Sequence, residues 1–235
     1  MNEDTDLLAD QVAFYRTRAP EYDEWWQRRG RYNLGPAQAA EWNAEVAELE
    51  SELERFSPHG DVLELAGGTG WWTERLARTA RNLTVVDTSP EAMALNRRRV
   101  ERDDVSYVEE DLFTWRPKSA HTHDVVFFSF WLSHVPPGRF DPFWAFVARC
   151  LAPGGRVFFI DSRADPTSAR RDPYVIDEEP GVQSRRLGDG SVHRVVKLFY
   201  EPAALTQRLE ECGWEAQVSA TRRFFIYGTA RPRTG

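Results

Sequence analysis

The sequence predicts an α/β fold built on a mostly parallel sheet with helices on both faces, and three observations carry that expectation. Short apolar runs alternate with amphipathic segments between residues 61 and 162. A glycine-rich turn, Gly67-Gly68-Thr69-Gly70, follows the first apolar run in LELAGGTGWW. The runs end on acidic or polar residues, which places those residues together at one edge of a parallel sheet. Regular alternation of strand and helix requires crossover connections.

The elements follow in order. DVLEL (61–65) is the first strand, and WWTERLARTA is its helical continuation. LTVVD (83–87) is the second strand. In SPEAMALNRRRV, Ser89 supplies a cap and Pro90 the first helical position, so a helix is expected. VSYVEED (105–111) and DVVFFSF (124–130) are the third and fourth strands. FDPFWAFVARCL (140–151) is an amphipathic helix stopped by Pro153-Gly154-Gly155, and RVFFIDS (156–162) is the fifth strand. The continuously apolar stretches 125–128 and 157–160 suit strands covered on both faces.

The flanks differ. Residues 1–56 hold no convincing strand; LLADQVAFYRTRA and PAQAAEWNAEVAELESELERF are expected as helices, with the aromatic stretch EYDEWWQRRGRYN between them. Residues 163–192 are rich in Arg, Asp, Pro and Gly and read as an excursion from the sheet. VQSRRL-GDG-SVHRVVKLFY within it has the form of a hairpin with a Gly-rich turn. EPAALTQRLEECG is a helix, and EAQVSATRRFFIYGTA makes an antiparallel pair at the sheet edge, for seven strands in all.

A length of 235 residues with 41% hydrophobic content suits one domain with a sizeable core. We divide it into N-terminal helices (1–56), a ligand-binding core (57–162), an excursion with hairpin (163–200) and a C-terminal helix with edge strands (201–235). The net charge of −7 argues against a nucleic-acid partner. Two cysteines, Cys150 and Cys212, are too few for a disulfide framework. No His, Cys or acidic cluster has metal-ligand spacing, so no metal is expected. The acidic start MNEDTDLLAD does not have the form of a signal peptide, and no apolar run is long enough for a membrane span. A cytoplasmic location is the expectation.

Ligands of open α/β sheets bind beyond the carboxyl ends of the strands. Those ends carry Glu64, Asp87, Asp111 and the stretch Ser129 to His134. Clustered carboxylates repel one another, and a ligand with several donors offsets that. A dinucleotide fold needs a third glycine in G-x-G-x-x-G, and Thr73 stands there instead. The loop has no lysine for a phosphate-binding loop, so a pyrophosphate ligand is not expected.

With these motifs in place the chain resembles the class I S-adenosylmethionine-dependent methyltransferases, closely over residues 58–162 and more loosely in the flanks. The family's first motif is an acidic residue followed by x-Gly-x-Gly-x-Gly; here it reads Glu64-Leu65-Ala66-Gly67-Gly68-Thr69-Gly70, with Ala66 for the first glycine. LAPGGRVFFID resembles the segment leading into the fifth strand. The resemblance implies a Rossmann-like doubly wound sheet and the cofactor S-adenosylmethionine, with S-adenosylhomocysteine as product. It implies that Asp87 and Thr88 meet the ribose and that Asp111 and Leu112 meet the adenine. Ala66, Gly67, Gly68, Gly70 and Ser129 would approach the methionyl portion, with Glu64 at the head of the motif and Thr73 adding a hydroxyl.

Trp71 and Trp72 either wall that pocket or pack the helix on the sheet. Tyr15 and Tyr22 either face the sulfonium through their rings or form a seam between the first two helices. On the acceptor side, His134 is the base candidate, with a cap of the next helix as its alternative. Trp25, Trp26, Trp131, Lys197 and Tyr200 are candidates to line the acceptor pocket. Arg185 and Arg186 meet an acidic acceptor or else are solvated hairpin charge. The N-terminal helices are expected as a mobile lid, and the excursion either shapes the acceptor side or builds a homodimer contact. No Asn/Asp-Pro-Pro-Tyr motif follows the fourth strand, which again points away from nucleic acid. The expected reaction is methyl transfer to a small molecule, foremost O-methylation of an aromatic or apolar metabolite, with N- or C-methylation and a catalytically silent binder as alternatives.

Overall fold

Successive side chains of a strand point to opposite faces, so Val125-Val126-Phe127-Phe128 can be buried only if both faces of its sheet are covered. The computed structural model describes residues 3–33, 35–165 and 175–233 and shows this double cover. Val125, Phe127, Phe158 and Ile160 pack on one side with Trp42, Leu49 and Leu53. Val126, Phe128, Val157 and Phe159 pack on the other with Trp144, Val147 and Leu209. Phe127 stacks on its in-register neighbour Phe158, and Phe128 on Phe159, with rings 6.2 and 5.6 Å apart.

The described strands are β1 (Gly60–Leu65), β2 (Ala80–Asp87), β3 (Ser106–Glu109), β4 (His123–Ser129), β5 (Leu151–Ser162), β6 (Val175–Glu179), β7 (Val182–Arg186), β8 (Val192–Val196), β9 (Trp214–Ala220) and β10 (Phe225–Pro232). The helices are α1 (Glu3–Trp26), α2 (Pro36–Phe56), α3 (Thr73–Leu76), α4 (Pro90–Val100), α5 (Phe140–Cys150) and α6 (Pro202–Glu211). Seven strands form one sheet in the order β3-β2-β1-β4-β5-β10-β9. β1 to β5 are parallel, β10 runs antiparallel between β5 and β9, and the edge strand β9 runs in the direction of β1 to β5. The order reverses between β1 and β4, and a Rossmann-like sheet opens its ligand crevice at that reversal. β6, β7 and β8 form a separate antiparallel sheet, so the expected hairpin gains a third strand. Residues 166–174 of the expected excursion lie outside the described residues.

Local signals set several boundaries. Ser89 caps α4 by accepting from the Ala92 N–H at 3.1 Å, with Pro90 next. Elsewhere tertiary contacts overrule them. The first helix was expected to end before EYDEWW, yet α1 runs through Pro20 to Trp26. Burial of Trp26 against Trp42, Phe130 and Phe225 offsets what the proline costs. The helix after the glycine loop was expected over WWTERLARTA, but α3 holds only four residues. Tighter bonds from Arg78 to Arg75 and Thr79 to Leu76 wind it up. The chain re-enters the sheet at Ala80, where exposed Arg81 and Asn82 hide the strand from a hydropathy reading.

Trp42 joins α1, α2 and the sheet. It is 1% exposed, its indole N–H donates to the Trp26 carbonyl at 2.9 Å, and its ring lies 4.6 Å from Phe225. The Arg28 guanidinium covers it at 3.4 Å. Trp42→Ala should cost about 3–5 kcal/mol of stability, the range for a buried aromatic. Urea unfolding measures it, and a loss below about 1 kcal/mol would mean that this seat does not anchor α1.

Candidate functional site

The loop after β1 is shaped by what lies behind it. Ala66 has φ 55°, a left-handed conformation that costs an L-residue about 1–2 kcal/mol. The glycine more usual at that point of the motif would avoid this. A Cβ on Gly70 would meet the Asn96 Cα at 2.8 Å, so Gly70 is needed for α4 to approach. Asn96, fully buried, donates to the Gly67 and Gly68 carbonyls at 3.3 Å and to the Thr73 hydroxyl at 2.8 Å. Tyr107 donates to the Asn96 side-chain amide oxygen Oδ1 at 2.9 Å. Asn96 was not singled out from the sequence, because a polar residue in a helix carries no local sign of what it staples.

A cavity of about 190 Å³ runs along the strand ends. On the β2 side, Asp87 accepts from the Gly68 N–H and the Ser89 N–H, both at 2.8 Å. Burial pushes its carboxyl up, against the pull of those N–H groups. Asp111 accepts from the Phe113 N–H at 2.9 Å through one oxygen. Each carboxylate keeps acceptor capacity, and Ala66, Gly68, Thr88, Leu112 and Ser129 line the same wall. Carboxylates for a diol and an exocyclic amine, beside open loop backbone, fit S-adenosylmethionine.

The other end of the cavity is cationic. Arg18, Arg185, Arg186 and Lys197 line it. Arg18 is buried and lies about 5.5 Å from the rings of Phe14, Tyr22 and Trp25. The Lys197 ammonium donates to the Ser133 hydroxyl at 2.8 Å and lies 3.7 Å from Asp161. Burial pushes this ammonium down to about 8, partly opposed by Asp161.

Between the two ends stands His134. Its Nδ1 lies 2.6 Å from the Val196 carbonyl, which can only accept, so Nδ1 carries the proton. Nε2 then accepts from the Tyr15 hydroxyl at 2.6 Å. Burial, then the nearby Lys197, hold the imidazole well below its ordinary pKa. Both ring nitrogens of the expected base His134 are thus partnered, and its surroundings favour the neutral form.

The structure brings Tyr15, Tyr22, Trp25, Trp131 and Lys197 to the cavity, and it takes other expected residues elsewhere. Glu64 and Thr73 lie behind the loop, 1% and 0% exposed, with Thr73 bonded to Glu64. Burial raises the Glu64 carboxyl to about 8. Gly70 faces Asn96. Gly67, Trp26 and Trp72 line a side recess of about 30 Å³, room for a water or two and not for a cofactor. Trp26 and Trp72 are 3% exposed and pack on each other and into the sheet core. Tyr200 packs on Phe140, away from the cavity. Arg185, half-buried, and Arg186, exposed, both border the cavity, so Arg186 also has the solvated position expected of hairpin charge. Among the described residues no group of three His, Cys, Asp or Glu side chains could hold a metal, and no helix is long and apolar enough to cross a membrane.

Asp87→Ala should weaken S-adenosylhomocysteine binding by about 1.5–3 kcal/mol, the range for hydrogen bonds to a charged group. Calorimetry reads this directly; unchanged affinity would remove Asp87 from the cofactor wall.

Residues 62–155 match a family model described as a methyltransferase domain. Two solved structures, a DhpI–SAH complex and a DhpI–SAM–HEP complex, are each 36% identical to this chain with TM-scores of 0.76. The first alignment covers 98% of this chain and 99% of DhpI, the second 99% and 100%. A glycopeptide N-methyltransferase, MtfA, complexed with S-adenosyl-L-homocysteine shares the fold at 19% identity and TM-score 0.57, covering 79% of this chain and 86% of its own. No curated protein matches the chain by sequence. A likeness of 36% along nearly the full length of both chains is one of family and not of fold alone: the chain belongs to the class I S-adenosylmethionine-dependent methyltransferases, and S-adenosylmethionine is its cofactor.

Proposed function

We propose that this methyltransferase methylates an oxyanion oxygen of a small acceptor, a carboxylate or a phospho-type oxygen, to give a methyl ester. The observation that carries the reading is Arg18. It is buried in the cavity wall, and its partners among the described residues are aromatic faces alone. A buried cation without an anion is costly, and an acceptor bringing the anion would offset that cost. Lys197 and Arg185 stand beside it. The aromatic wall expected for an apolar acceptor is present, but its rings cover a guanidinium.

The second support is His134. A phenol or an amine acceptor must lose a proton on methylation, and this imidazole offers no free lone pair. An oxyanion has no proton to lose. When bound, S-adenosylmethionine supplies a methyl on positive sulfur, so the new C–O bond forms as the S–C electron pair returns to sulfur. The chain's part is to aim the acceptor, screen its charge and exclude water. A neighbour of the same family, DhpI, has been crystallised as a SAM–HEP complex, which agrees with an acceptor seated beside the cofactor.

α1 serves as the lid in this reading. It is tied to the cofactor side by Arg16 on the Thr88 carbonyl at 3.0 and 2.8 Å. Asp23 adds an ion pair with Arg99 and accepts from the Thr69 hydroxyl. It is tied to the acceptor side by Gln11, which bridges the His134 carbonyl and the Val196 N–H, and by Asp10, which accepts from the Arg194 N–H. The excursion supplies Gln183, Arg185 and Lys197 to the same cavity.

Two outcomes are expected. Arg18→Met and Lys197→Met should each lower kcat/KM for the acceptor by about 10–100-fold, as for one lost charged hydrogen bond of about 1.5–3 kcal/mol. S-adenosylhomocysteine affinity should change little. Labelled methyl transfer to carboxylate and phosphate-bearing acceptors measures this, and alkali should release the label as methanol where the acceptor is a carboxylate. Transfer to phenols or amines with none to oxyanions would overturn the reading. Hydrogen exchange with S-adenosylhomocysteine should protect residues 10–26 as well as 61–112; protection confined to 61–112 would dismiss α1 as a lid.

A further inference from the structure

Asp161 is a buried carboxylate with no part in the transfer itself, and a role for it beside the acceptor rests on the oxyanion reading. It closes β5 and is 0% exposed. One of its oxygens accepts from the Ser133 N–H at 2.8 Å and the other from the Ser162 N–H at 2.7 Å. The Lys197 ammonium, 3.7 Å from Asp161, donates to the hydroxyls of the same two serines, at 2.8 and 3.4 Å. The carboxylate thus fixes the backbone that carries both hydroxyls aiming the ammonium, and it faces the ammonium itself.

The residue it holds is unusual for this chain. Of 30 basic residues only Lys118 and Lys197 are lysines, and Lys118 is exposed. An arginine stays charged in any surroundings, whereas a buried lysine keeps its proton only if its neighbours favour it. Those neighbours are Arg185 on β7 and Arg18 on α1, which disfavour the charge, and Asp161 on β5, which favours it. Tyr15 and neutral His134 complete the surroundings. Burial is the largest influence and also disfavours the charge.

We propose that Asp161 is a positioning residue that keeps Lys197 protonated and aimed into the cavity, so that an arriving oxyanion meets a cation. It acts through Lys197 and touches neither acceptor nor cofactor. Removing its charge while keeping its shape should leave the cofactor site intact and let Lys197 lose its proton at lower pH.

The two lysines make this directly visible. Intact protein 13C-labelled at the lysine ε carbon gives one signal for Lys118 and one for Lys197, each titratable by NMR. The wild-type Lys197 signal should titrate near pH 8, with Lys118 in the ordinary lysine range. In Asp161→Asn the Lys197 midpoint should fall by about 1–3 pH units, the effect of an opposite charge at this range, with Lys118 and S-adenosylhomocysteine binding unchanged. Asp161→Glu restores the charge and should bring the midpoint back towards wild type. An Asn variant that binds S-adenosylhomocysteine but leaves the midpoint in place overturns the role of Asp161. Should the Asn variant fail to bind, the Glu variant decides, and a midpoint displaced from wild type by more than about 1 pH unit overturns it. Inorganic phosphate, as an oxyanion probe, should raise the wild-type midpoint. If it does not while the Asn variant still shifts, the oxyanion reading falls and the hold of Asp161 on Lys197 stands.

Discussion

The site depends on one helix lying across the carboxyl ends of the parallel strands. Parallel strands leave their ends open by construction, because every crossover helix packs on a face. α1 supplies the missing wall. The apolar cluster beneath its middle is small, with Phe14, Leu187 and Val195 fully buried and Tyr15 beside them. Most of what holds it is polar: Arg16, Asp23, Gln11, Asp10 and Tyr15 each bond across the cavity rim. Such bonds net only about 0.5–1.5 kcal/mol each, since water can replace either partner. In the proposed reading such a wall can open without exposing a large apolar seam. Its end near Trp26 is different, being set in the main core against Trp42 and Phe225. The helix is therefore anchored by apolar packing at one end and by polar bonds along the rest.

The cavity below α1 is divided by charge. Asp87, Glu110 and Asp111 line the β2–β3 side, and Arg18, Arg185, Arg186 and Lys197 line the side towards β7 and β8. Charges of one sign gathered together repel one another, and those that are buried, Arg18 and Lys197, also lose solvation. The arrangement lowers in energy when a ligand presents donors to the first group and an anion to the second. In the proposed reading, cofactor and acceptor meet between them, near the Tyr15–His134 pair.

The fold was legible wherever a local chemical signal sets the structure. Ser89-Pro90 marks the start of α4, the apolar doublets mark β4 and β5, and the spacing of acidic strand ends marks the crevice. Where the structure departs from that reading, a distant contact decides. Pro20 should end a helix, but Trp26 finds Trp42 sixteen positions along the chain. Trp72 and Thr73 sit beside the loop in sequence yet face away from the cavity, because the four-residue α3 turns them onto the sheet. Arg18 was visible only as one charge in an aromatic segment, and nothing local shows that a guanidinium is walled in by rings. Asp161 was within reach: it ends an apolar strand as Asp87 does. The rule that strand ends face the crevice applies to it equally, but an acid at the end of the fifth strand lies outside the motif.

His134 shows how residue type and residue role separate. Its position after β4 and its ordinary pKa make it the obvious base. Both ring nitrogens prove to be partnered, one to a carbonyl that fixes the tautomer and one to a phenol on the lid. Burial and the nearby Lys197, Arg185 and Arg18 all disfavour a second proton on it. A neutral imidazole is the form that such surroundings select. It is also the form that lets α1 latch, because only an unprotonated Nε2 can accept from Tyr15. In the proposed reading the histidine ties closure of α1 to its own neutral form.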